Sequence, residues 1–477
     1  MNSIKDLSES QIAFIENVKE EFELPLDRLV QTTIRLQKSK ESCSPRYPHK
    51  TNLRVPNFHN RNVYLSPPHS HYYLGISISN AGRECRLSCL QKRKDGSTQE
   101  IKSVVPIESS NTNYVECIVD GLDCFLSNNN IEPTTIQPVL PLSLSICYPV
   151  SNTESDCSDP CDSNISCNGC KERTNLPYDR SQDLARYLND ALIRTNMPVR
   201  LTSICNNAEA ILTASNHQNN NQVMATVVLN SGINVAYFAP QSDDETNSKD
   251  GRAMVNTEVG NFGNDSHVLP CTRWDQSLLR ESARPNERHL EKLIGGQYLG
   301  ELVRIVLLDS IDQGLLPSIK SPIFELDIPY NFHTDYMGEI INDESSGLYT
   351  IRSMFKNTFQ VLDLSTADAL VVKSICQLVT VRAAKLSGCV MAFASLQAYI
   401  SANTSSKTNN DVGAELKRPT TINLCGHVFD LNDTFLNVAQ ATMRAILENL
   451  DASPVNVIKN SPSSAVLGAA LLSVYAP

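Results

Sequence analysis

The chain opens on a helical period. Ser8 and Gln11 are spaced as a capping box, and Ile12, Ile15, Val18 and Phe22 then recur on one face of a helix. Pro25 suits the first turn of a second helix running to Leu36. Residues 38–66 are polar and broken by prolines, and read as a crossing loop. From Tyr72 the period shortens. YLGISIS, RECRLSCLQ and Glu100–Val105 read as strands joined by turns at Asn80–Gly82 and Asp95–Gly96. A helix is predicted over Val115–Ser127, a strand over Pro138–Tyr148, a loop over 151–175 and a helix over Ser181–Thr195.

A second series of the same kind follows. Leu201–Cys205 is a short apolar strand feeding a helix that begins near Ala208. Met224–Leu229 and Asn234–Ala239 pair around the turn NSGI, a polar loop spans Gln241–Gly251, and Ala253–Thr257 is extended. Pro285 opens an amphipathic helix to Asp309, with Leu290, Leu293, Ile294, Leu302, Val306 and Leu307 inward. Ser365 with Asp368 opens another to about Ala402, before a polar loop at Asn403–Pro419. Thr420–Phe429 with a turn at Gly426, Phe435–Leu450, Val455–Ile458 and Ser464–Tyr475 read as strand, helix, strand and closing helix. Two α/β halves in tandem predict a two-lobed fold with a cleft.

Composition narrows the class. The 477 residues suffice for two cored domains, and 41% hydrophobic with 19% charged residues is ordinary for a globular protein. A net charge of -11 argues against nucleic-acid binding. No run of 18 apolar residues and no apolar core in MNSIKDLSES argue against a membrane or secretory address, so a cytoplasmic, reducing setting is expected. Most of the 15 cysteines then read as small core residues, Cys376 and Cys389 among them. Cys157, Cys161, Cys167 and Cys170 share one Ser/Asn-rich loop, which reads either as a flexible reduced loop or as a structural zinc site of non-standard spacing.

Chemistry concentrates where a strand end meets a helix, at Asn206 and Asn207 in LTSICNNAEAILTAS. Two amides can orient hydroxyls but neither can take a proton; an ordinary Asn–Asn turn is the other reading. Further along stand GRAMVNTEVGNFG (251–263), RPNERHLEKLIGGQYLGELVR (284–304) and VVKSICQLVTVRAAKL (371–386). With LPLSLSICYP (140–149), these segments resemble the hexokinase family in order and spacing over nearly the whole chain. The resemblance implies an actin-like ATPase (ribonuclease H-like) fold with a sugar cleft between a small and a large domain. It also implies an interleaved layout. Residues 1–66 are helices on the large domain, 67–206 the small domain, 207–458 the large domain, and 459–477 a helix returning to the small one.

The family transfers the γ-phosphoryl of ATP, with Mg²⁺, to the 6-hydroxyl of a hexose. Carried over by position, its sugar contacts fall on Lys171, Asn206, Asn207, Asn234, Glu258 and Glu291, whereas read singly Glu258 and Glu291 are equally solvated carboxylates. Its phosphate and nucleotide contacts fall on Arg86, Ser231, Gly232, Gly426 and Ser464. Two departures matter most. Asn207 stands where the family has its catalytic aspartate, and Ser77 where it has the aspartate of its metal site. Val259 stands in place of a tryptophan and is expected to free volume beside the cleft. Two functions compete: a catalytically impaired, sugar-responsive regulator with a protein partner, cytoplasmic or, in that regulatory role, nuclear; or an active kinase of glucose, fructose, mannose or N-acetylglucosamine in glycolysis. A structural protein binding neither ligand is a third.

Overall fold

The computed structural model describes residues 6–41, 49–56, 71–78, 84–93, 97–106, 114–135, 137–147, 184–239, 251–264, 268–320, 324–404, 420–461 and 463–473. Its frame is two mixed sheets. The first comprises β2 (His71–Ile78), β3 (Glu84–Lys92), β4 (Thr98–Pro106), β5 (Leu140–Ile146) and β6 (Val199–Asn206), in the order β4-β3-β2-β5-β6. The β2–β3–β4 meander is antiparallel, and β5 and β6 add in parallel on the other side of β2. The second comprises β1 (His49–Pro56), β7 (Val223–Leu229), β8 (Ile233–Phe238), β9 (Gly251–Asn256), β10 (Thr420–Cys425) and β11 (Val455–Lys459), in the order β1-β9-β8-β7-β10-β11. Apart from β1 the two sheets have the same plan: an antiparallel meander whose first strand is flanked by two parallel strands. Each therefore has a point where strand order reverses, between β2 and β5 and between β7 and β10, and such points are where open α/β sheets leave room for ligands.

The helices α1 (Glu9–Phe22) and α2 (Leu26–Glu41) begin as the sequence predicts. The Ser8 hydroxyl accepts from the Gln11 amide while Gln11 returns a bond to the Ser8 N–H, and Phe14, Val18 and Phe22 are buried. The first sheet is covered by α3 (Tyr114–Asn128) and α4 (Leu184–Arg194), which share one core with it. The larger core surrounds α12 (Thr366–Thr404), 39 residues long. This helix is long and apolar enough to cross a bilayer but is packed inside the protein by α1, α2, α8 (Leu299–Asp312), α10 (Thr334–Ile341) and α13 (Asp433–Asn449), and by β7, β8 and β10. Cys376 and Cys389 are core residues of this helix, and burial pushes the Cys389 thiol up to about 12.

Three expectations change. The 38–66 stretch is not all loop: β1 pairs antiparallel with β9 at the sheet edge. Only Leu53 and Val55 alternate there, so the strand owes its place to its partner more than to its own pattern. The helix expected from Pro285 to Asp309 is two, α7 (His289–Ile294) and α8, because Gly295 caps the first and the chain turns at Gly296 to donate to the Asn230 carbonyl at 2.7 Å. Four helices carried no expectation: α6 (Arg273–Glu281), α9 (Phe324–Asp327), α10 and α11 (Tyr349–Thr358). The cysteine loop with Cys157, Cys161, Cys167 and Cys170, like Lys171, lies outside the described residues. Among the described residues no three His, Cys, Asp or Glu side chains gather as a metal site.

The last helix, α14 (Ser464–Leu472), packs on α5 (Asn207–Gln218) and on β2, β3 and β5. A Cβ on Gly468 would lie 1.7 Å from the Ala210 carbonyl, so glycine is what permits this approach. The helix α14 thereby covers part of the first sheet.

Candidate functional site

A cleft of about 250 Å³ lies between the two sheets, the scale of one small ligand. The first sheet and the helix it feeds contribute Ser77, Arg86, Asn206 and Asn207. The second contributes Asn230, Ser231, Gly232 and Asn234, and the segments after it Glu258, Arg288 and Glu291. Asn206 ends β6 and caps α5. Its Oδ1 accepts from the Ala208 N–H at 2.9 Å, and Glu209 accepts from the Asn206 N–H at 2.9 Å. This capping box fixes Asn207 at the first helical position, facing the cleft.

One wall is a linked set of amides and carboxylates. Asn234 Nδ2 donates to Asn256 Oδ1 at 2.7 Å and to Asn206 Oδ1 at 3.2 Å, and lies 3.4 Å from Glu258 Oε1. Asn256 Nδ2 donates to Glu258 Oε1 at 2.8 Å. Glu291 is held by Arg288 Nη1 at 2.8 Å and by the Ile233 N–H at 3.3 Å. Gly232 leaves room for it: a Cβ there would sit 2.3 Å from Glu291 Oε2. Glu258 has left-handed backbone, φ 47 and ψ 43, which turns its side chain into this wall. Desolvation raises its pKa, with the Glu291 charge adding to that, against the lowering effects of the Asn256 bond and Arg288. The wall thus offers oxygen acceptors in fixed positions, suited to the hydroxyls of a polyol.

The opposite wall is different. Across the first sheet Arg86 pairs in register with Ser77, Ser77 with Ser145, and Ser145 with Cys205. The Ser145 hydroxyl donates to Asn207 Oδ1. No carboxylate occupies this row, and two serines do not make the carboxylate-anchored octahedral site Mg²⁺ favours. Among the described residues this row does not fit a protein-held Mg²⁺.

Of the other expected residues, Ser231 and Gly232 form the β7–β8 turn and line the cleft. Gly426, φ 131, is pressed on the Leu229 carbonyl, and the following His427 donates its backbone N–H to Asn230 Oδ1 at 3.0 Å. Gly426 thus reaches the cleft through Asn230, while Ser464 bonds back to the Ser461 carbonyl and is not a lining residue. Val259 is buried in the large core and is not among the residues that line the cleft. Sequence reasoning missed Ser145, Asn256 and Arg288. Asn256 and Arg288 stand inside the segments that carry the resemblance, whereas Ser145 becomes relevant only when β5 is laid beside β6.

The hexokinase family profile matches residues 224–475. Hexokinase-2 of Oryza sativa subsp. japonica is 33% identical over 297 residues, 61% of this chain and 57% of that protein. Hexokinase-1 of Saccharomyces cerevisiae is 26% identical over 337 residues, 67% of this chain and 66% of its own length. The chain thus matches between about half and two thirds of these relatives. The structure of a hexokinase from Schistosoma mansoni complexed with glucose superposes with a TM-score of 0.74 at 18% identity, covering 97% of this chain and 99% of that one. The fold is the actin-like ATPase fold. The profile covers more than half of the chain, including the cleft wall that carries Asn234, Glu258 and Glu291, and the chain is a divergent member of the hexokinase family.

Proposed function

We propose that this protein binds glucose or a related hexose in the cleft, transfers phosphate poorly or not at all, and acts as a sugar-responsive regulator of a protein partner. Asn207 carries the reading. It stands where β6 meets α5, its carbonyl oxygen accepting from Ser145, and as an amide it has no basic site to take the proton of a sugar hydroxyl. Losing a general base costs roughly 10²–10⁴-fold in rate. ATP and Mg²⁺ serve the family in general, but with Ser77 in the metal-site position their use here is expected to be weak. The oxygen-rich wall of Asn234, Glu258 and Glu291 supports retention of the sugar. The regulator works in the cytoplasm, or in the nucleus where its partner is there.

The test is coupled ATP-dependent phosphorylation of glucose, fructose, mannose and N-acetylglucosamine, run beside Asn207→Asp. The expected result is little or no turnover in the natural chain and a gain of about 10²-fold or more in the variant. Robust turnover by the natural chain overturns the reading.

One observation favours an active hexose kinase of glycolysis as a second reading. The raised pKa of Glu258 makes it a better proton acceptor than an ordinary carboxylate. On that reading natural turnover is present and Glu258→Gln abolishes it.

A further inference from the structure

We infer that Asn230 fills the anion cradle at the second sheet's end of the cleft with its own amide oxygen, and that this side chain keeps nucleotide phosphates out. The inference rests on the proposed function, in which ATP is used weakly, and gives that weakness a physical cause. The second sheet reverses its strand order between the parallel neighbours β7 and β10. The turns that follow these two strands meet: Asn230–Gly232 after β7, and Gly426–His427 after β10. Main-chain N–H groups at such strand ends are donors that a phosphate oxygen can use. These are also the turns on which the resemblance places phosphate contacts, at Ser231, Gly232 and Gly426.

An oxygen of the chain itself is already there. Asn230 Oδ1 accepts from the His427 N–H at 3.0 Å and lies 3.1 Å from His427 Nδ1. The N–H identifies the facing amide atom as oxygen, so the ring nitrogen donates to it as well. The oxygen is thus held by two donors, as an oxygen of a bound anion is. It is pressed into the turn, since a Cβ on Gly426 would lie 3.0 Å from it. An arriving phosphate meets a spent N–H and an oxygen bearing partial negative charge. The imidazole does not compensate: desolvation lowers its pKa, against the charge of Asp335, so the ring is mostly uncharged at neutral pH. The amide is not what shapes the turn. The main-chain N–H of Asn230 donates to the Gly232 carbonyl at 2.9 Å, and its carbonyl accepts from the Gly296 N–H at 2.7 Å. Truncating the side chain therefore frees the His427 N–H without removing the bonds that hold the hairpin.

The experiment is calorimetric titration of the full chain at neutral pH with ADP and with adenosine, in EDTA so that no metal takes part. Asn230→Ala and Asn230→Gly are each expected to bind ADP about tenfold or more tighter than the natural chain, the gain of a charge-assisted bond to a phosphate oxygen. Adenosine, which has no phosphate, is expected to change by less than about threefold. Asn230→Asp, nearly isosteric, keeps both bonds and adds a charge, and is expected to bind ADP no better than the natural chain. His427→Ala removes the ring but leaves the main-chain N–H bonded to Asn230, and is expected to gain less than about threefold. ADP binding that is equal in the natural chain and in cooperatively melting Asn230→Ala overturns the inference. So does a gain in Asn230→Asp, a gain in His427→Ala as large as that in Asn230→Ala, or an equal gain for adenosine. Each of these leaves the proposed function standing, because that reading turns on Asn207. Robust hexose phosphorylation by the natural chain overturns the proposed function instead.

Discussion

At the scale of single residues, Glu258 is where chemistry and stability meet. Its pKa is raised chiefly by desolvation, with Glu291 adding to the rise and Asn256, Arg288 and Asn234 opposing it. A carboxyl with a raised folded-state pKa binds more protons folded than unfolded above its ordinary value of 4.5. Its contribution to stability is therefore complete below that value and is lost as pH rises through the folded pKa. Glu258→Gln removes the titration while keeping an acceptor for Asn256. The expected outcome is equal melting temperatures below about pH 4.5 and a variant that gains steadily on the natural chain above it. Thermal unfolding followed by circular dichroism between pH 4 and 8 is the measurement, and a difference independent of pH contradicts the assignment. Much of this wall was legible in the sequence, since Asn234, Glu258 and Glu291 stand in segments with a family pattern. The opposing wall was not. Residue order says nothing of Ser145 until parallel pairing places it between Ser77 and Cys205.

At the scale of elements, the long helix α12 shows what periodicity can and cannot foretell. Its start is written locally: the Asp368 N–H donates to the Ser365 hydroxyl at 3.0 Å, and Asp368 in turn accepts from the Ser318 N–H at 2.8 Å. What it holds is not local. Arg382, only 2% exposed, reaches across to α6 and grips Asp275 through two bonds of 2.8 and 2.7 Å, with a third to the Pro270 carbonyl. Its guanidinium also lies 4.8 Å from the ring of Phe22 on α1. Asp275 is itself the capping-box partner of Thr272. The helix α6 has nine residues, too few to be stable alone, and its sequence RWDQSLLRE announces little; this ion pair and the burial of Trp274 and Leu278 hold it. Removing one member of a buried pair leaves the other charged and unpaired, at a cost of about 3–5 kcal/mol. Arg382→Ala is expected to lose that much in urea unfolding, with α6 the first element to lose hydrogen-exchange protection. A loss below about 1 kcal/mol would mean that Asp275 finds water instead. The same reasoning explains why α9, α10 and α11 escaped sequence reading and why α7 and α8 were read as one. Short helices and the Gly295–Gly296 break are fixed by tertiary partners, here the Asn230 carbonyl.

At the scale of the whole molecule, the two sheets share a strand plan, and the cleft is lined from both. Pattern alone predicted two α/β halves and a cleft. It did not predict that β1 would complete the second sheet, because that strand is defined by its neighbour. A ligand contacting Asn207 and Glu258 together ties the halves to each other, and its binding energy adds to the stability of the folded chain. At a hundred times its dissociation constant it contributes about 2.7 kcal/mol. The melting temperature is then expected to rise by roughly 2–5 °C with the preferred sugar. Mg²⁺–ATP is expected to behave differently. On the proposed reading Ser77 takes the metal-site position in place of a carboxylate, so Mg²⁺–ATP without sugar is expected to shift melting by less than about 1 °C. A second addition of Mg²⁺–ATP to the sugar complex is expected to add as little. Scanning fluorimetry with sugar, Mg²⁺–ATP and both separates the possibilities. A large shift with sugar alone fits a sensor that reads one ligand. Equal shifts with each ligand, adding when combined, would mean that the nucleotide site is intact. Substitution of Asn207 would then be the main barrier to catalysis.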